Sequence, residues 1–183
     1  MNYPQALIDW ILDLIFPVRC INCNKIGTSY ICSKCLNSIS VKNGFECIGC
    51  KRNTPLGKTC YFCRKNNHID QLFIVADFKN KLVERSLKIM KYNFVEDLSI
   101  PLSLLVKKYL KMLTNKKHLD IFESQPIFIP VPLHRGRFNW RGFNQSEILA
   151  KKILSDSPVN IFEDVLFRIR KSKPIPYRPR PSP

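Results

Sequence analysis

The chain has 183 residues and a formal net charge of +16, from 30 Lys and Arg against 14 Asp and Glu. This length leaves room for one domain, or one small domain with a smaller module, and the apolar fraction of 45% supports a packed core. The basic excess indicates polyanionic partners, namely nucleic acid, an anionic membrane surface or phosphate-bearing substrates, with a lysine-rich solvated surface as the alternative.

Residues 1–18 are predicted to form an amphipathic docking helix that ends before Pro17. Asp9 and Asp13 share its polar face, and its apolar positions follow helical spacing: Leu7, Ile8, Ile11, Leu12 and Ile15. The stretch is too short and too acidic to span a bilayer. It also lacks the basic leader and small-residue cleavage site of a secretory signal. We therefore expect no transmembrane segment and a cytoplasmic location.

All eight cysteines fall in four C-x-x-C pairs within residues 19–66: Cys20 and Cys23, Cys32 and Cys35, Cys47 and Cys50, Cys60 and Cys63. One such pair turns two thiolates toward one ion, and two pairs complete a tetrahedral site. The pattern predicts a double zinc ribbon with two structural Zn²⁺ ions, since four sulfurs leave no open position for water. A disulfide framework and a thioredoxin-like redox pair are the rival interpretations.

The order in which the pairs combine is a separate prediction. Sequential pairing groups the first four cysteines and then the last four, whereas interleaved pairing would give a cross-brace. We favour sequential pairing because closing short local loops costs the least entropy. The region has few large aliphatic residues, so the metal ions are expected to replace a hydrophobic core there.

Residues 67–173 alternate between strand and helix patterns. "QLFIVADF" (71–78), "PIFIPVPLH" (126–134) and "EDVLFRIRK" (163–171) are predicted strands, the last with Val165, Phe167 and Ile169 facing inward. "KNKLVERSLKIMKYNF" and "DLSIPLSLLVKKYLKMLTN" are predicted helices, and Asn144 is predicted to cap a third, with Glu147 completing the capping box. This alternation predicts an α/β layer with parallel strands.

A basic, aromatic segment, predicted to be a loop, comes after the second strand. It supplies Arg135, Arg137, Arg141, Phe138, Trp140 and Phe143, and it leads to the helix that Asn144 caps. Arginines at a helix N-terminus beyond a strand end indicate a phosphate, pyrophosphate or DNA site. The aromatic rings are expected either to stack unpaired bases or to pack the loop. Lys81, Arg85 and Lys88 form a second basic face at helical spacing.

Three stretches carry a family resemblance: "FPVRCINC", "LKIMKYNF" and "IPVPLHRGRFNWRGFNQSEILAK". From about Leu7 to Lys173 the chain resembles the ComF (ComFC) family of competence proteins. The resemblance implies a zinc-ribbon module followed by a type I phosphoribosyltransferase-like domain, which is a Rossmann-like parallel sheet. It also implies the handling of incoming single-stranded DNA in natural transformation, in some cases with a helicase-like partner.

The chain departs from that family after residue 173. It lacks the adjacent aspartates and the Gly-rich loop that would bind phosphoribosyl pyrophosphate, and residues 174–183 form a Pro/Arg-rich tail that is expected to be disordered. We therefore expect a domain that is incomplete at its C-terminus and has no catalytic residues. Magnesium with phosphoribosyl pyrophosphate would be a ligand only of a complete site.

Two functions compete on this basis, and a partner-docking module that works through the N-terminal helix is a third possibility. The first is a zinc-stabilised competence protein that handles single-stranded DNA without an intact catalytic site. The second is a phosphoribosyltransferase-family enzyme acting on a phosphoribosyl pyrophosphate-type substrate. The basic faces favour the first, because fold analogy alone is weak support for chemistry.

Overall fold

The computed structural model describes residues 16–172, so the predicted docking helix up to residue 15 and the tail lie outside the described residues. In this range the helices are, in chain order, α1 Ser33–Asn37, α2 Tyr61–Arg64, α3 Lys81–Tyr92, α4 Ser99–Lys117, α5 Arg135–Arg141 and α6 Gln145–Ile153. Short 3-10 turns occupy Pro55–Gly57 and Glu96–Leu98. None of the helices in this range has the length and apolar content needed to cross a membrane.

The two long helices confirm the sequence prediction. Asn80 caps α3, where its side-chain oxygen accepts hydrogen bonds from the N–H groups of Leu82 at 3.0 Å and Val83 at 3.2 Å. Pro101 lies in the first turn of α4, where its missing N–H leaves no hydrogen bond unmade. Five of the residues predicted for the inner face of α4 are buried: Leu98, Leu102, Leu105, Tyr109 and Leu113.

One hydrophobic core joins the first cysteine cluster to the helices. Cys20, Ile31, Cys35 and Ile39 come from the N-terminal region, and they pack with residues of α3 and with Leu98, Leu102 and Leu105. The α3 members are Leu82, Val83 and Met90. Helices α4 and α6 also pack together, with Lys107 paired to Asp156 at 2.7 Å. The first ribbon is therefore an integral part of the helical body.

The predicted parallel sheet is wrong for the described residues. Residues 16–172 contain isolated bridges instead of strands, at Arg19–Ile26, Glu46–Asn53, Lys58–Gln71 and, in parallel orientation, Phe128–Ile161. The part of this range that comes after the cysteine-rich region is helical, with extended connecting segments. The assignment to an α/β class with an incomplete Rossmann-like, phosphoribosyltransferase-like domain is thereby corrected.

The first predicted strand, residues 71–78, runs beside the ribbons instead of entering a sheet. Gln71 bridges to Lys58, and the N–H of Leu72 donates to the carbonyl of Gly57 at 3.0 Å. Farther along, the carbonyl of Val75 accepts a hydrogen bond from the N–H of Lys42 at 2.9 Å. These local partners take up backbone groups that a central strand would need for its neighbours.

The other two predicted strands fail for different reasons. Residues 126–134 contain Pro126, Pro130 and Pro132, and each lacks the N–H that a sheet ladder requires. A single parallel bridge remains, in which the N–H of Phe162 donates to the carbonyl of Phe128 at 2.9 Å. Residues 163–171 bend at 163–165 and have no sheet neighbour within the described range, so the residues predicted to face inward are exposed: Val165, Phe167 and Ile169. The segment is held to α6 instead by an ion pair between Glu163 and Lys151 at 2.7 Å.

The segment predicted as a basic loop is helix α5. The imidazole Nδ1 of His134 accepts a hydrogen bond from the N–H of Gly136 at 3.1 Å and caps this helix. Gly142 ends it in the left-handed conformation with φ of 82°, which glycine adopts without steric cost. Two residues later, the oxygen of the Asn144 side chain caps α6 through the N–H of Ser146, as predicted. The Glu147 side chain pairs with Lys151 at 2.7 Å instead of completing the predicted capping box.

Candidate metal centres and basic surface

The eight cysteines form two clusters in sequential order, which confirms that pairing. One cluster is Cys20, Cys23, Cys32 and Cys35, the other is Cys47, Cys50, Cys60 and Cys63, and in each the sulfur atoms lie within 4.8 Å of one another. The sulfurs of Cys23 and Cys32 are 3.7 Å apart. A tetrahedron of sulfurs around Zn²⁺ has edges of about 3.8 Å, given a Zn–S distance of about 2.3 Å. Both clusters therefore fit the ion, and all eight thiols are free of disulfides.

The two ribbons share one backbone design. In the first, the residue after Cys23 is Asn24, which takes a positive φ of 58° and donates its N–H to the carbonyl of Cys20 at 2.9 Å. In the second, Lys51 takes a φ of 64° and donates to the carbonyl of Cys47 at 3.0 Å. Each tight turn brings its two sulfurs to one side. The sequence shows this repeat only as C-x-x-C spacing.

One position between the paired cysteines distinguishes the two turns. Asn22, in the first ribbon, donates its side-chain amide to the sulfur of Cys35 at 3.3 Å. The equivalent residue of the second ribbon is Gly49, and a Cβ atom there would lie 2.7 Å from the sulfur of Cys63. The first ribbon therefore holds its last sulfur with a hydrogen bond. The second brings its last sulfur so close to the turn that a side chain is excluded.

Backbone donors prepare the first cluster for a cation. Burial opposes ionisation of Cys20, but N–H groups of Cys23, Cys32 and Asn22 outweigh it and lower the pKa of Cys20 to about 6. The Asn22 amide likewise favours the Cys35 thiolate, yet burial and the neighbouring sulfurs prevail and raise the pKa of Cys35 to about 12. Four thiolates at this spacing repel one another, so complete ionisation requires a metal ion between them.

The second cluster likewise has one cysteine with a lowered pKa and one with a raised pKa. The N–H groups of Cys50 and Cys60 lower the pKa of Cys47 to about 6, against the effect of burial. The sulfur of Cys60, together with burial, raises the pKa of Cys63 to about 12. Two closed clusters of four cysteines are consistent with two structural zinc ions, which supply folding free energy and no open coordination site for catalysis.

Comparison with known proteins identifies the cysteine-rich region. Residues 11–66 match the double zinc ribbon domain family. The chain carries a double zinc ribbon. No curated protein and no solved structure shows significant similarity to it. The match lies in the ribbons, so the resemblance to ComF proteins over the remaining residues stays a prediction.

The basic face predicted on α3 is exposed. Lys81, Arg85 and Lys88 follow one another at helical spacing, opposite the side of α3 that enters the core, and Lys88 also pairs with Glu84 at 2.7 Å. Tyr92 continues the same row and is exposed. We call the row of Lys81, Arg85, Lys88 and Tyr92 the α3 stripe. Sequence analysis missed Tyr92, although its position four residues after Lys88 places it on the same side of the helix.

Helix α5 separates the three arginines that the sequence grouped together. Arg141 is 9% exposed and donates from Nε to the carbonyl of Lys91 at 2.9 Å and from a terminal nitrogen to the side-chain oxygen of Gln145 at 2.6 Å. Burial lowers the pKa of its guanidinium. Arg137 donates to the carbonyl of Ser172 at 2.6 Å, whereas Arg135 is exposed. Arg141 therefore joins α5 to α3 and α6 from inside the fold.

The three aromatic residues of the same segment also lie in different surroundings. Trp140 is 57% exposed and meets Phe94 edge to face, with ring centroids 4.9 Å apart. Phe143 packs against the core cluster. Phe138 lines a cleft of about 290 Å³ together with Arg135, Asn144 and other residues of α6 and the segment after it. Trp140 is thus the member of this group that lies near the end of the α3 stripe, because Phe94 follows α3 directly.

The side-chain amide of Asn144 makes two structural hydrogen bonds. Its oxygen caps α6, and its nitrogen donates to the carbonyl of Val131 at 3.2 Å. Phe94 was missed by sequence analysis, and its positive φ of 60°, which turns the chain after α3, had no local sequence indication. The resulting group of exposed rings, Tyr92, Phe94 and Trp140, is called the aromatic cluster below.

Proposed function

We propose that this double zinc ribbon protein binds single-stranded DNA along the α3 stripe, with the aromatic cluster stacking one or two bases. The observation that carries the proposal is the row of Lys81, Arg85 and Lys88 on the exposed side of α3, with exposed rings near its C-terminal end. A basic track beside aromatic rings is the usual arrangement of proteins that bind single strands without sequence preference.

The electrostatics of the whole chain support this proposal. A net charge of +16 attracts a polyanion at long range, and the release of counterions from the phosphates provides the driving force on contact. Arg135, exposed at the start of α5, adds a further cation in the neighbouring segment. Arg137 is engaged with Ser172 and Arg141 is buried, so we place neither on the binding surface.

The biological setting of the proposal is the handling of incoming DNA during natural transformation. Two stretches that resemble ComF proteins support this setting: "FPVRCINC" at the start of the first ribbon, and the segment from Ile129 to Lys151. The resemblance also implies that a helicase-like protein is a partner, as for some members of that family. The use of all eight cysteines in two metal-binding clusters instead of disulfides favours a reducing compartment such as the cytoplasm. The competing enzyme hypothesis depended on a parallel sheet, which the described residues do not form.

The test is the salt dependence of binding to an oligothymidylate of about 20 nucleotides. Replacing Lys81, Arg85 and Lys88 with Ala should reduce the slope of log affinity against log salt by about 2, at about 0.7 per lost phosphate contact. The matched control replaces Lys111, Lys116 and Lys152, which are exposed on α4 and α6. The proposal fails if both triple variants change the slope equally, or if the unmodified chain does not bind.

A second binding measurement tests the aromatic cluster. Trp140→Ala should weaken binding at every salt concentration by about 1–3 kcal/mol if a base stacks on the ring, with no change in slope because the indole carries no charge. An unchanged affinity would leave Trp140 as a packing partner of Phe94 and confine the proposed surface to the α3 stripe.

A further inference from the structure

The two zinc ribbons have the same backbone but different surroundings. In the first, Cys20, Ile31, Cys35 and Ile39 belong to the hydrophobic core, and the carbonyl of Asn37 at the end of α1 accepts a hydrogen bond from Lys108 of α4 at 3.5 Å. The second ribbon contributes none of its described residues to that core cluster. Its helix α2 is exposed at both of the residues that lie between Cys60 and Cys63.

Those two residues are large aromatics. Tyr61 is 76% exposed and Phe62 is 72% exposed, and their rings meet edge to face with centroids 5.8 Å apart. The first ribbon carries Ser33 and Lys34 at the equivalent positions. Since the same fold is built with small and polar residues in one ribbon, the aromatic pair of the other is not required by the zinc site. Covering the apolar surface of two exposed rings with a ligand is favourable, because it removes that surface from water.

A guanidinium is held beside the pair by the zinc cluster itself. Arg52 donates from Nε to the sulfur of Cys50 at 3.4 Å, and its central carbon lies 5.9 Å from the centre of the Phe62 ring. Four thiolates around one Zn²⁺ carry two net negative charges, which attract this arginine. The cluster therefore fixes Arg52 over one face of Phe62, and much of the surface of both rings remains open to solvent.

The charge around the rings indicates the kind of ligand. Arg64 and Lys65 follow Tyr61 by three and four residues, so they extend from the same side of the α2 turn, and both are exposed. Two acidic residues lie on either side of them in sequence. Lys42 and Lys51 pair with Glu46 at 2.7 and 3.3 Å, and exposed Asp70 is a single negative charge against the three cations Arg52, Arg64 and Lys65. An anionic ligand with flat, stackable groups fits this surface, whereas a second copy of this +16 chain would be repelled.

We propose that Tyr61 and Phe62 of the second ribbon form a separate base-stacking site for single-stranded DNA, with Arg52, Arg64 and Lys65 contacting the adjacent phosphates. This site rests on the proposed function and extends it, because the strand then contacts two regions of one chain. The first ribbon anchors the fold and the second contacts the ligand. Linking two weak sites along one strand raises the overall affinity without strengthening either one.

The experiment measures binding of the full chain to fluorescein-labelled oligothymidylate of about 20 nucleotides. Tyr61→Leu with Phe62→Leu removes the aromatic faces but keeps apolar side chains of substantial size. This double variant should bind about 5- to 150-fold more weakly, the range expected for one lost base–ring stack, with an unchanged salt slope. Phe167→Leu, at another exposed ring, is the matched control and should bind normally. Two zinc ions per chain verify that the ribbons remain folded.

A second measurement does not depend on affinity. An oligonucleotide carrying 5-iodouracil should crosslink under ultraviolet light to Tyr61 or Phe62, and mass spectrometry of the peptides identifies the position. Retained affinity of the double Leu variant, together with crosslinks only in α3 and α5, would overturn the second site. The proposed function would survive that outcome. Failure of the unmodified chain to bind, or an α3-stripe variant with an unchanged salt slope, would count against the proposed function instead.

Discussion

Arg135, Arg137 and Arg141 belong to one short segment, and the neighbours of each residue determine its role. Arg141 is the buried member, and its guanidinium satisfies the carbonyl at the end of α3 and the side chain of Gln145. Arg137 holds Ser172, and Arg135 remains exposed. A charge that looks like part of a ligand site in the sequence is thus a structural link when a helix end lies within reach.

Replacing Arg141 with Met should lower the free energy of unfolding by about 1–3 kcal/mol, because the buried side-chain oxygen of Gln145 and the partly buried carbonyl of Lys91 lose their donor. Urea denaturation followed by circular dichroism measures this change. Arg135→Met is the control and should stay within about 0.5 kcal/mol of the unmodified chain, since Arg135 is exposed. Equal effects of the two substitutions would contradict the structural role of Arg141.

Gly49→Ala should weaken metal binding at the second ribbon alone. The new methyl group would meet the sulfur of Cys63 at 2.7 Å, so the sulfur must leave its place in the cluster. Cobalt titration of the metal-free chain, read by thiolate-to-metal absorption, should show one normal and one weakened site. Gly44→Ala is the control, because no atom lies within 4 Å of the position its Cβ would take. Two equal sites in Gly49→Ala would disprove the steric argument.

At the scale of elements, the two ribbons differ in what they support. The first shares a core with α3 and α4, through Cys20, Ile31, Cys35 and Ile39. The second is tied to the rest by the hydrogen bonds that join Gly57 and Leu72 and by the bridge from Lys58 to Gln71. Loss of the first zinc should therefore destabilise α3 and α4, whereas loss of the second should unfold only its own ribbon.

Cys23→Ser and Cys50→Ser are a matched pair that tests this difference. Both cysteines are exposed members of their clusters, and each substitution removes one of four ligands. Since metal binding supplies the folding free energy of such ribbons, each variant should unfold its own ribbon. Hydrogen exchange should increase in α3 and α4 for Cys23→Ser but not for Cys50→Ser. Equal exchange in the helices of both variants would show that the first ribbon does not support them.

At the scale of the whole molecule, charge and exposed apolar surface oppose each other. The net charge of +16 keeps copies of the chain apart. Residues 161–169, however, expose Phe162, Val165, Leu166, Phe167 and Ile169 beside a single parallel bridge. A group of exposed apolar side chains of this kind favours self-association of the chain. High salt screens the repulsion, so it should promote association.

Replacing Phe167 and Ile169 with Ser should reduce self-association in high salt, since the two side chains are 75% and 88% exposed. Light scattering as salt increases gives the measurement. Ile26→Ser, at an exposed aliphatic residue of the first ribbon, is the control and should not change association. Persistent association of the double variant would place the self-associating surface elsewhere.

Sequence alone determined the features that depend on local spacing. Two residues between cysteines suffice to direct both sulfurs at one ion, so the ligands and their sequential pairing followed from the pattern. The helical repeat of Leu102, Leu105, Tyr109 and Leu113 predicted α4 and its buried face in the same way. The basic row on α3 also follows from helical periodicity, which fixes the residues that share a side.

Tertiary structure decided everything that depends on a distant neighbour. A strand exists only where another strand accepts its hydrogen bonds, and residues 126–134 meet a neighbour only at the bridge from Phe128 to Ile161, although their apolar pattern predicted a strand. Contact with α3 buries Arg141, whereas Trp140, the preceding residue, stays exposed. Packing against the helices likewise distinguishes a ribbon in the core from a ribbon that displays Tyr61 and Phe62, because the cysteine spacing is nearly the same in both.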